Sequence, residues 1–285
     1  MNPSEQIRAK AKELLDNKTV DCVIGYERST DGKNSRPLFV YSSKDADRLI
    51  FDQTCAQDLV RYLLNRKDKV TGIVVKPCDS RAINLLLNEH QIQRDKVYII
   101  GVACSGVAKT DWNKTGDKLR DACQICQQHK PVVYDFLVGE AKAEPAAEAY
   151  PDIKAMEGKS PEERRAFWEE QFSRCIRCYA CRQVCPGCYC GECFVERLDP
   201  LWVGIRIAPG ENEMWNTMRA FHLAGRCIGC NACELVCPVN IPLSLLNRKL
   251  EKDVQTLFKF QSGIDADAPP PFATYQKDEK LGVAE

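Results

Sequence analysis

Two stretches decide how the C-terminal half of the chain is built: CIRCYACRQVCP at residues 175–186 and CIGCNACELVCP at residues 227–238. Both have the spacing C-x2-C-x2-C-x3-C-P. In such a run the first three thiolates can wrap one loop around one four-iron cubane, whereas the fourth lies beyond the turn and reaches a second cluster. Because the whole pattern is repeated with its proline, it predicts two [4Fe–4S] clusters and disfavours a zinc ribbon.

The same spacing predicts which cysteines share a cluster, because the last cysteine of each run crosses to the other site. We expect one cluster to be held by Cys175, Cys178, Cys181 and Cys237. The other is expected to be held by Cys227, Cys230, Cys233 and Cys185.

The surroundings of the two motifs favour helices. A helical stretch is predicted near Glu211–Ala224 and a long amphipathic helix after Pro242. The segment RCIGCNACELVCPVNIPLSLLNRKL, residues 226–250, resembles the dicluster ferredoxin domains of heterodisulfide reductase and Rnf-type electron-transfer subunits. This resemblance implies a mainly helical 2[4Fe–4S] ferredoxin domain, which we place at residues 160–262.

Composition narrows the class of protein. The chain has 285 residues, enough for two domains, and 40 basic residues balance 40 acidic ones, which gives no reason to expect nucleic acid as a partner. The polar N-terminus and the lack of a long apolar run predict a soluble, cytoplasmic protein without membrane insertion. Its 17 cysteines stand mostly at metal-ligand spacings, so they indicate metal binding and not a disulfide framework.

Residues 1–138 alternate between short β-rich runs and helical patterns, which predicts an α/β domain with a largely parallel sheet. A helix is expected at about Cys55–Asn65. Residues 139–159 are rich in Ala, Glu, Lys and Pro and are predicted to be a linker. Ser160, Pro161 and Glu163 then form a helix-start signal, and residues 263–285 are expected to be a C-terminal tail that wraps a partner or frays.

Four further cysteines of the N-terminal domain are candidate ligands: Cys78, Cys104, Cys123 and Cys126. The first two follow predicted strands, whose carboxyl ends are where ligands gather in α/β sheets. The spacing alone leaves both a cluster and a zinc site open. The order Pro-Cys, Gly-x-x-Cys and Cys-x-x-Cys resembles the β subunit of coenzyme F420-reducing hydrogenase and its dehydrogenase relatives. That resemblance, over about residues 18–140, implies that these four cysteines hold a third [4Fe–4S] cluster.

In that family the cluster lies beside a flavin, so the resemblance also raises the question of FAD. Residues 1–20 contain no Gly-Gly pair of the kind found in the family's early flavin segment. The later part of the family's flavin domain is also missing. In this sequence the ferredoxin domain follows the α/β domain, whereas in the family the ferredoxin domain comes first. We therefore do not expect FAD, and keep it as an alternative.

Three cysteines in the segment CPGCYCGEC are left over: Cys188, Cys190 and Cys193. They could bind zinc or a further cluster with one outside ligand, either Cys55 or a residue of a partner. They could equally be thiols packed around the ferredoxin cluster without binding it. The three histidines, His90, His129 and His222, show no ligand spacing, so surface or packing roles are expected for them.

The sequence therefore predicts an iron–sulfur electron-transfer subunit of a soluble oxidoreductase complex in an anaerobe. It would relay single electrons through about three [4Fe–4S] clusters and would itself not be catalytic. The expected partners are other oxidoreductase subunits of the flavin, hydrogenase or heterodisulfide reductase-like kind. Two alternatives remain: an FAD-containing subunit that converts two-electron to one-electron transfer, and a zinc-structured interaction module.

Overall fold

The computed structural model describes residues 2–111, 114–140 and 144–271. Its N-terminal part begins with helix α1 and continues through seven strands and two more helices. In chain order these are α1 (Pro3–Asp16), β1 (Cys22–Arg28), β2 (Ser35–Val40), β3 (Thr71–Val75), α2 (Pro77–Asn88), β4 (Val97–Val102), β5 (Ala108–Asp111), β6 (Lys114–Leu119), α3 (Asp121–Gln124) and β7 (Phe136–Val138).

Five of these strands form one sheet in the order β2-β1-β3-β4-β7. Strands β1, β3, β4 and β7 run parallel, and β2 is an antiparallel edge strand. Strand β3 is buried along its whole length, as expected for a parallel strand covered on both faces. The prediction of an α/β domain with a largely parallel sheet is confirmed.

The segment predicted as a helix at Cys55–Asn65 is shorter and tighter than expected. A 3-10 helix spans Val60–Asn65, and residues 55–59 before it are irregular, with a bend at Gln57. The carboxylate of Asp58 accepts a hydrogen bond from the Val60 backbone N–H at 2.8 Å, which starts the helix there. The apolar side chains still reach the core, since Leu59, Val60 and Leu63 are all buried.

The C-terminal part is helical, as predicted. It contains α4 (Pro151–Glu157), α5 (Pro161–Ser173), α6 (Ala180–Val184), α7 (Pro209–His222), α8 (Ala232–Leu235) and α9 (Leu243–Phe258). The predicted start of α5 is confirmed, because the Ser160 side chain accepts from the Glu163 N–H while the Glu163 carboxylate accepts from the Ser160 N–H. The expected helices near Glu211–Ala224 and after Pro242 correspond to α7 and α9.

The two cysteine motifs have matching backbones. Each places a left-handed residue directly after its second cysteine, Tyr179 with φ 59° and Asn231 with φ 58°. A short helix then begins in each motif, α6 in the first and α8 in the second. Since few non-glycine residues adopt this conformation, its occurrence at the same place in both motifs shows that the repeat in sequence is a repeat in structure.

The division into domains at residues 138 and 160 stays a prediction, but the segment between them has structure of its own. Helix α4 forms in it, and Asp152 of α4 pairs with Arg248 of α9 at 2.9 Å. The Arg248 guanidinium also donates to the Ala149 carbonyl. The described part of this segment is therefore attached to the long C-terminal helix.

Helix α2 of the sheet domain is joined to the C-terminal part by buried polar contacts. Arg81 pairs with Glu251 of α9 at 3.0 Å and donates to the Ser262 carbonyl. Gly263 has φ 72°, and a Cβ at this position would lie only 2.1 Å from the Arg81 carbonyl oxygen. Only glycine allows so close an approach, and it brings residues 263–271 of the predicted tail along α2. Residues 272–285 lie outside the described range.

Candidate iron–sulfur sites

One cavity brings together the four cysteines of the predicted crossed set. Its lining includes Cys227, Cys230 and Cys233 from the second motif and Cys185 from the first. Cys185 precedes Cys227 by 42 positions in the sequence. The folded chain thus places the last thiol of the first motif beside the first three of the second, the arrangement that a cubane with crossed ligation needs.

The remaining four ferredoxin cysteines also lie together. Cys175, Cys181 and Cys237 are buried in one apolar cluster with Trp215, and Cys178 at the same loop is exposed. The pKa of Cys181 is raised to about 11, chiefly by burial. Arg219 lowers it, and the thiols of Cys175, Cys237 and Cys178 raise it, in that order. The fourth thiol of the second motif, Cys237, is thus within electrostatic reach of the first motif's loop.

Burial raises the pKa of the second-motif thiols in the crossed set. It raises that of Cys227 to about 12 and that of Cys230 well above its usual value, since a thiolate loses its hydration there. A hydrogen bond with the Cys188 thiol instead lowers the pKa of Cys185 to about 6. Cys227 and Cys230 therefore hold their protons at neutral pH. A cluster binds thiolates, so its assembly at this site must release protons.

The third candidate set is built at the carboxyl edge of the parallel sheet. Cys78 is the second residue of α2, directly after β3, and Cys104 follows β4. Cys123 lies in α3, and Cys126 just beyond it. Backbone N–H groups already point at three of these sulfurs: Gly106 donates to Cys104 at 3.3 Å, Val107 to Cys123 at 3.4 Å and Gln128 to Cys126 at 3.4 Å. Such hydrogen bonds stabilise the negative charge of a cluster.

The four thiols of this set act on one another. Burial raises the pKa of Cys78 well above its usual value and that of Cys104 to about 11. Smaller contributions come from Cys104 acting on Cys78 and from Cys123 acting on Cys104 and Cys126. Repulsion of this kind requires the groups to lie near one another. The structure therefore brings the predicted set together at one edge of the sheet.

A buried ion pair lies under this third set. Lys76 and Asp79 are almost fully enclosed and pair at 2.7 Å, and the Lys76 ammonium also donates to the Tyr26 hydroxyl and, at 2.8 Å, to the Gln57 carbonyl. Among the influences on the pKa of Cys78, Asp79 raises it and Lys76 lowers it. The influence of Asp79 on Cys78 is the larger of the two, so the Asp79 carboxylate outweighs the Lys76 ammonium at this thiol. Lys76 also lowers the pKa of Cys104, so its positive charge reaches two thiols of the set.

The third set and the crossed set adjoin each other. A single cavity is lined by Cys78 and Cys126 and also by Ile228 and Gly229, which belong to the loop of the second motif. Cys78 and Cys185 are both among the groups that raise the pKa of Cys230. The second motif therefore lies between the third set on one side and the first motif on the other.

Arg219 of α7 is a functional candidate that sequence reasoning missed. It is 4% exposed, lines the cavity of the crossed set and donates to the Cys181 carbonyl at 2.9 Å. Its buried Nε has no hydrogen-bond partner. Burial lowers its pKa, but Cys185, Cys188 and Cys181 outweigh this and raise the pKa overall. A guanidinium buried among thiols is a ready partner for cluster charge.

The remaining cysteines also have defined places. Cys188, Cys190 and Cys193 line one cavity, which adjoins that of the crossed set. Cys55, considered from the sequence as their outside ligand, lies instead in the core of the sheet domain, where its sulfur accepts from the Asp52 N–H at 3.4 Å.

Within residues 2–111, 114–140 and 144–271, no three His, Cys, Asp or Glu side chains converge tightly enough to hold a single metal ion. This holds for the cysteines of the two ferredoxin motifs as well as for the other candidate cysteine sets. A cubane binds each thiolate through a different iron atom, so its ligands stay apart, and the described geometry is compatible with clusters.

These sites define the class of the protein: it is an iron–sulfur electron-transfer protein. Residues 223–242 match the 4Fe–4S binding domain family. The chain is 25% identical to the F420-dependent formate dehydrogenase subunit beta of Methanocaldococcus jannaschii over 358 aligned positions, which cover 93% of each chain. It is also 25% identical to the F420-dependent formate dehydrogenase 1 subunit beta of Methanococcus maripaludis, over 93% of this chain and 92% of the relative.

These similarities confirm both resemblances seen in the sequence, to the F420-reducing β-subunit family and to ferredoxin domains. They extend over the sheet domain and the helical part together. In the part of the chain that the structure describes, no helix is long and apolar enough to cross a membrane.

Proposed function

We propose that the chain relays single electrons through three [4Fe–4S] clusters within a multi-subunit oxidoreductase. The first cluster would be held by the third set at the sheet edge and the next by the crossed set. The last would be held by Cys175, Cys178, Cys181 and Cys237, called the first-motif set. The observation that carries this proposal is the cavity that Cys78 and Cys126 share with Ile228 and Gly229. It puts the N-terminal site against the loop of the second motif, so each cluster has the next one as its neighbour.

The partners follow from the relatives. Both are named as β subunits of formate dehydrogenases. We infer that this chain likewise serves a dehydrogenase, with a separate catalytic subunit at one end of the relay. Thiolate-bound clusters suit a reducing compartment, and we propose the cytoplasm as the location.

Cys78→Ala tests the third cluster. The variant, purified without oxygen, should contain about four fewer iron atoms per chain than the unmodified protein, because one cubane is lost. The electron paramagnetic resonance (EPR) signals of the two ferredoxin-type clusters should persist. Cys22→Ala is the matched control, since Cys22 is a fully buried thiol of the same domain outside all the proposed sets. Full iron and sulfide in the Cys78 variant would refute the assignment.

The same preparation separates the alternative cofactors. Acid denaturation should release no flavin fluorescence, whereas an FAD-containing converter would release about one flavin per chain. Metal analysis should give iron and sulfide in nearly equal amounts, as cubanes require. Zinc without sulfide would favour the interaction module and contradict the relay.

A further inference from the structure

The cavity next to the crossed set is lined by two opposing groups of residues. Cys188, Cys190 and Cys193 lie on the loop after the first motif. Trp215, Arg219 and His222 lie on α7 and line the same cavity. Three thiols therefore share one cavity with an imidazole that comes from a different element of the fold.

The loop that carries the three thiols is held at both ends by charged side chains. At its start, the Arg61 guanidinium donates to the carbonyls of Cys185 and Cys188. At its end, the Glu196 carboxylate accepts from the Cys193 N–H at 2.8 Å and pairs with Arg182 through two hydrogen bonds. These contacts hold both ends of the loop in place, and supporting contacts of this kind preorganise a binding site.

His222 is the last residue of α7 and faces this loop. Its ring packs edge-on against Phe194, the residue after Cys193, with the ring centroids 5.1 Å apart. Within the described part of the chain its ring nitrogens make no hydrogen bond. A neutral imidazole with an available nitrogen is a common metal ligand, and with three thiolates it completes a set of four.

The charge of the cavity favours a cluster over a single ion. Its volume, about 30 Å³, is the same as that of the cavity lined by the crossed set. Arg219 lines both cavities, and its buried Nε is without a partner. Such a guanidinium complements a group that carries net negative charge, as a thiolate-bound cubane does.

We propose that Cys188, Cys190, Cys193 and His222 bind a further [4Fe–4S] cluster, with His222 as the fourth ligand. The proposal adds a branch to the relay proposed above and rests on it only for the kind of cofactor. Trp215 forms a wall of this cavity and also packs in the apolar cluster with Cys175 and Cys181. The new cluster would therefore adjoin the first-motif cluster.

The test compares the full chain with His222→Ala and His222→Cys after anaerobic reconstitution with iron and sulfide. We expect about 16 iron atoms per chain, four cubanes, and a loss of about four in His222→Ala. His222→Cys should keep its iron, because a thiolate replaces the imidazole. Pulsed EPR of the reduced protein should show coupling to an imidazole nitrogen in the unmodified chain and none in His222→Cys.

His90→Asn is the control, because His90 is an exposed histidine with φ 53°, a conformation that asparagine accepts. It should change neither the iron content nor the nitrogen coupling. Cys190→Ser should lose the same signal as His222→Ala. About 12 iron atoms with one zinc would overturn the cluster assignment, and unchanged iron and nitrogen coupling in His222→Ala would overturn the ligand. An iron content that leaves fewer than three cubanes besides this one, with the nitrogen coupling still present, would overturn the proposed relay but not this site.

Discussion

Removing the charge of Arg219 should lower the reduction potentials of the two clusters proposed for the ferredoxin-type motifs. Its guanidinium is 4% exposed, donates to the Cys181 carbonyl at 2.9 Å, and lines the cavity of the crossed set with a free Nε. Reduction adds one negative charge to a cluster. A nearby positive group stabilises the reduced form more than the oxidised form, so Arg219→Met should make both clusters harder to reduce.

The size of the effect follows from the contacts that Arg219 can make. A hydrogen bond to a charged group is worth about 1.5–3 kcal/mol, and a buried Nε aimed at a cluster would supply one such bond. For a one-electron couple, a tenfold change in equilibrium, about 1.4 kcal/mol, corresponds to about 59 mV. The expected shift is therefore about 60 to 130 mV toward more negative potentials, and Arg219→Lys, which keeps the charge, should shift less.

Redox titration of the anaerobic protein, followed by EPR, measures these potentials cluster by cluster. Arg165→Met is the matched control, because Arg165 lies on α5 with 81% of its side chain exposed and pairs only with Glu169 in the same helix. It should leave every potential within about 20 mV, since exposed charges are strongly screened. The reasoning is refuted if Arg219→Met leaves the ferredoxin-type potentials unchanged, or if it shifts the N-terminal cluster as much as the other two.

Two further predictions address the ligands and the joint between the two parts. Cys185→Ser should alter the EPR signal of the cluster that Cys230 helps to hold, so its spectrum should match that of Cys230→Ser; a match to Cys178→Ser would mean that the ligation is not crossed. Arg81→Met should lower the free energy of unfolding in denaturant by about 3–5 kcal/mol, because it leaves Glu251 buried without its partner. The double variant Arg81→Met with Glu251→Gln should recover part of that loss. If its change in the free energy of unfolding equals the sum of the changes in the two single variants, the two side chains are not coupled.

The helices, strands and ligand spacings that depend on neighbouring residues could be predicted from the sequence. The helix after Ser160 starts where the capping box predicts, because Ser160 and Glu163 satisfy each other's backbone groups within one turn. The strand at Thr71–Val75 is a run of apolar and β-branched residues followed by Lys-Pro, and it ends there. The crossed pairing of Cys185 with the second motif stays a prediction, and its signal is local too, since the spacing within each run determines which thiol lies beyond its own loop.

The residues missed by sequence analysis are those whose role depends on packing between distant segments. Arg219 and His222 lie on a helix with ordinary amphipathic spacing, and the first-motif cysteines that they meet in the fold are far away in sequence. For His222 a weak signal existed, since the densest group of cysteines lacked a fourth ligand and His222 lies shortly before the second motif. The shortened helix at Val60–Asn65 is a similar case, because the Asp58 side chain satisfies a backbone N–H that a longer helix would have used.

The contacts between the sheet domain and the helical part would make the proposed relay continuous. Ile228, which separates the first two cysteines of the second motif, is buried in the core of the sheet domain. The Arg120 guanidinium donates to the Asn231 carbonyl of the same motif at 3.1 Å. The loop that would wrap the middle cluster is therefore fixed by the domain that would hold the third one. Because electron transfer between clusters depends on their separation, a chain built in this way sets that separation by its own packing and does not leave it to a flexible linker.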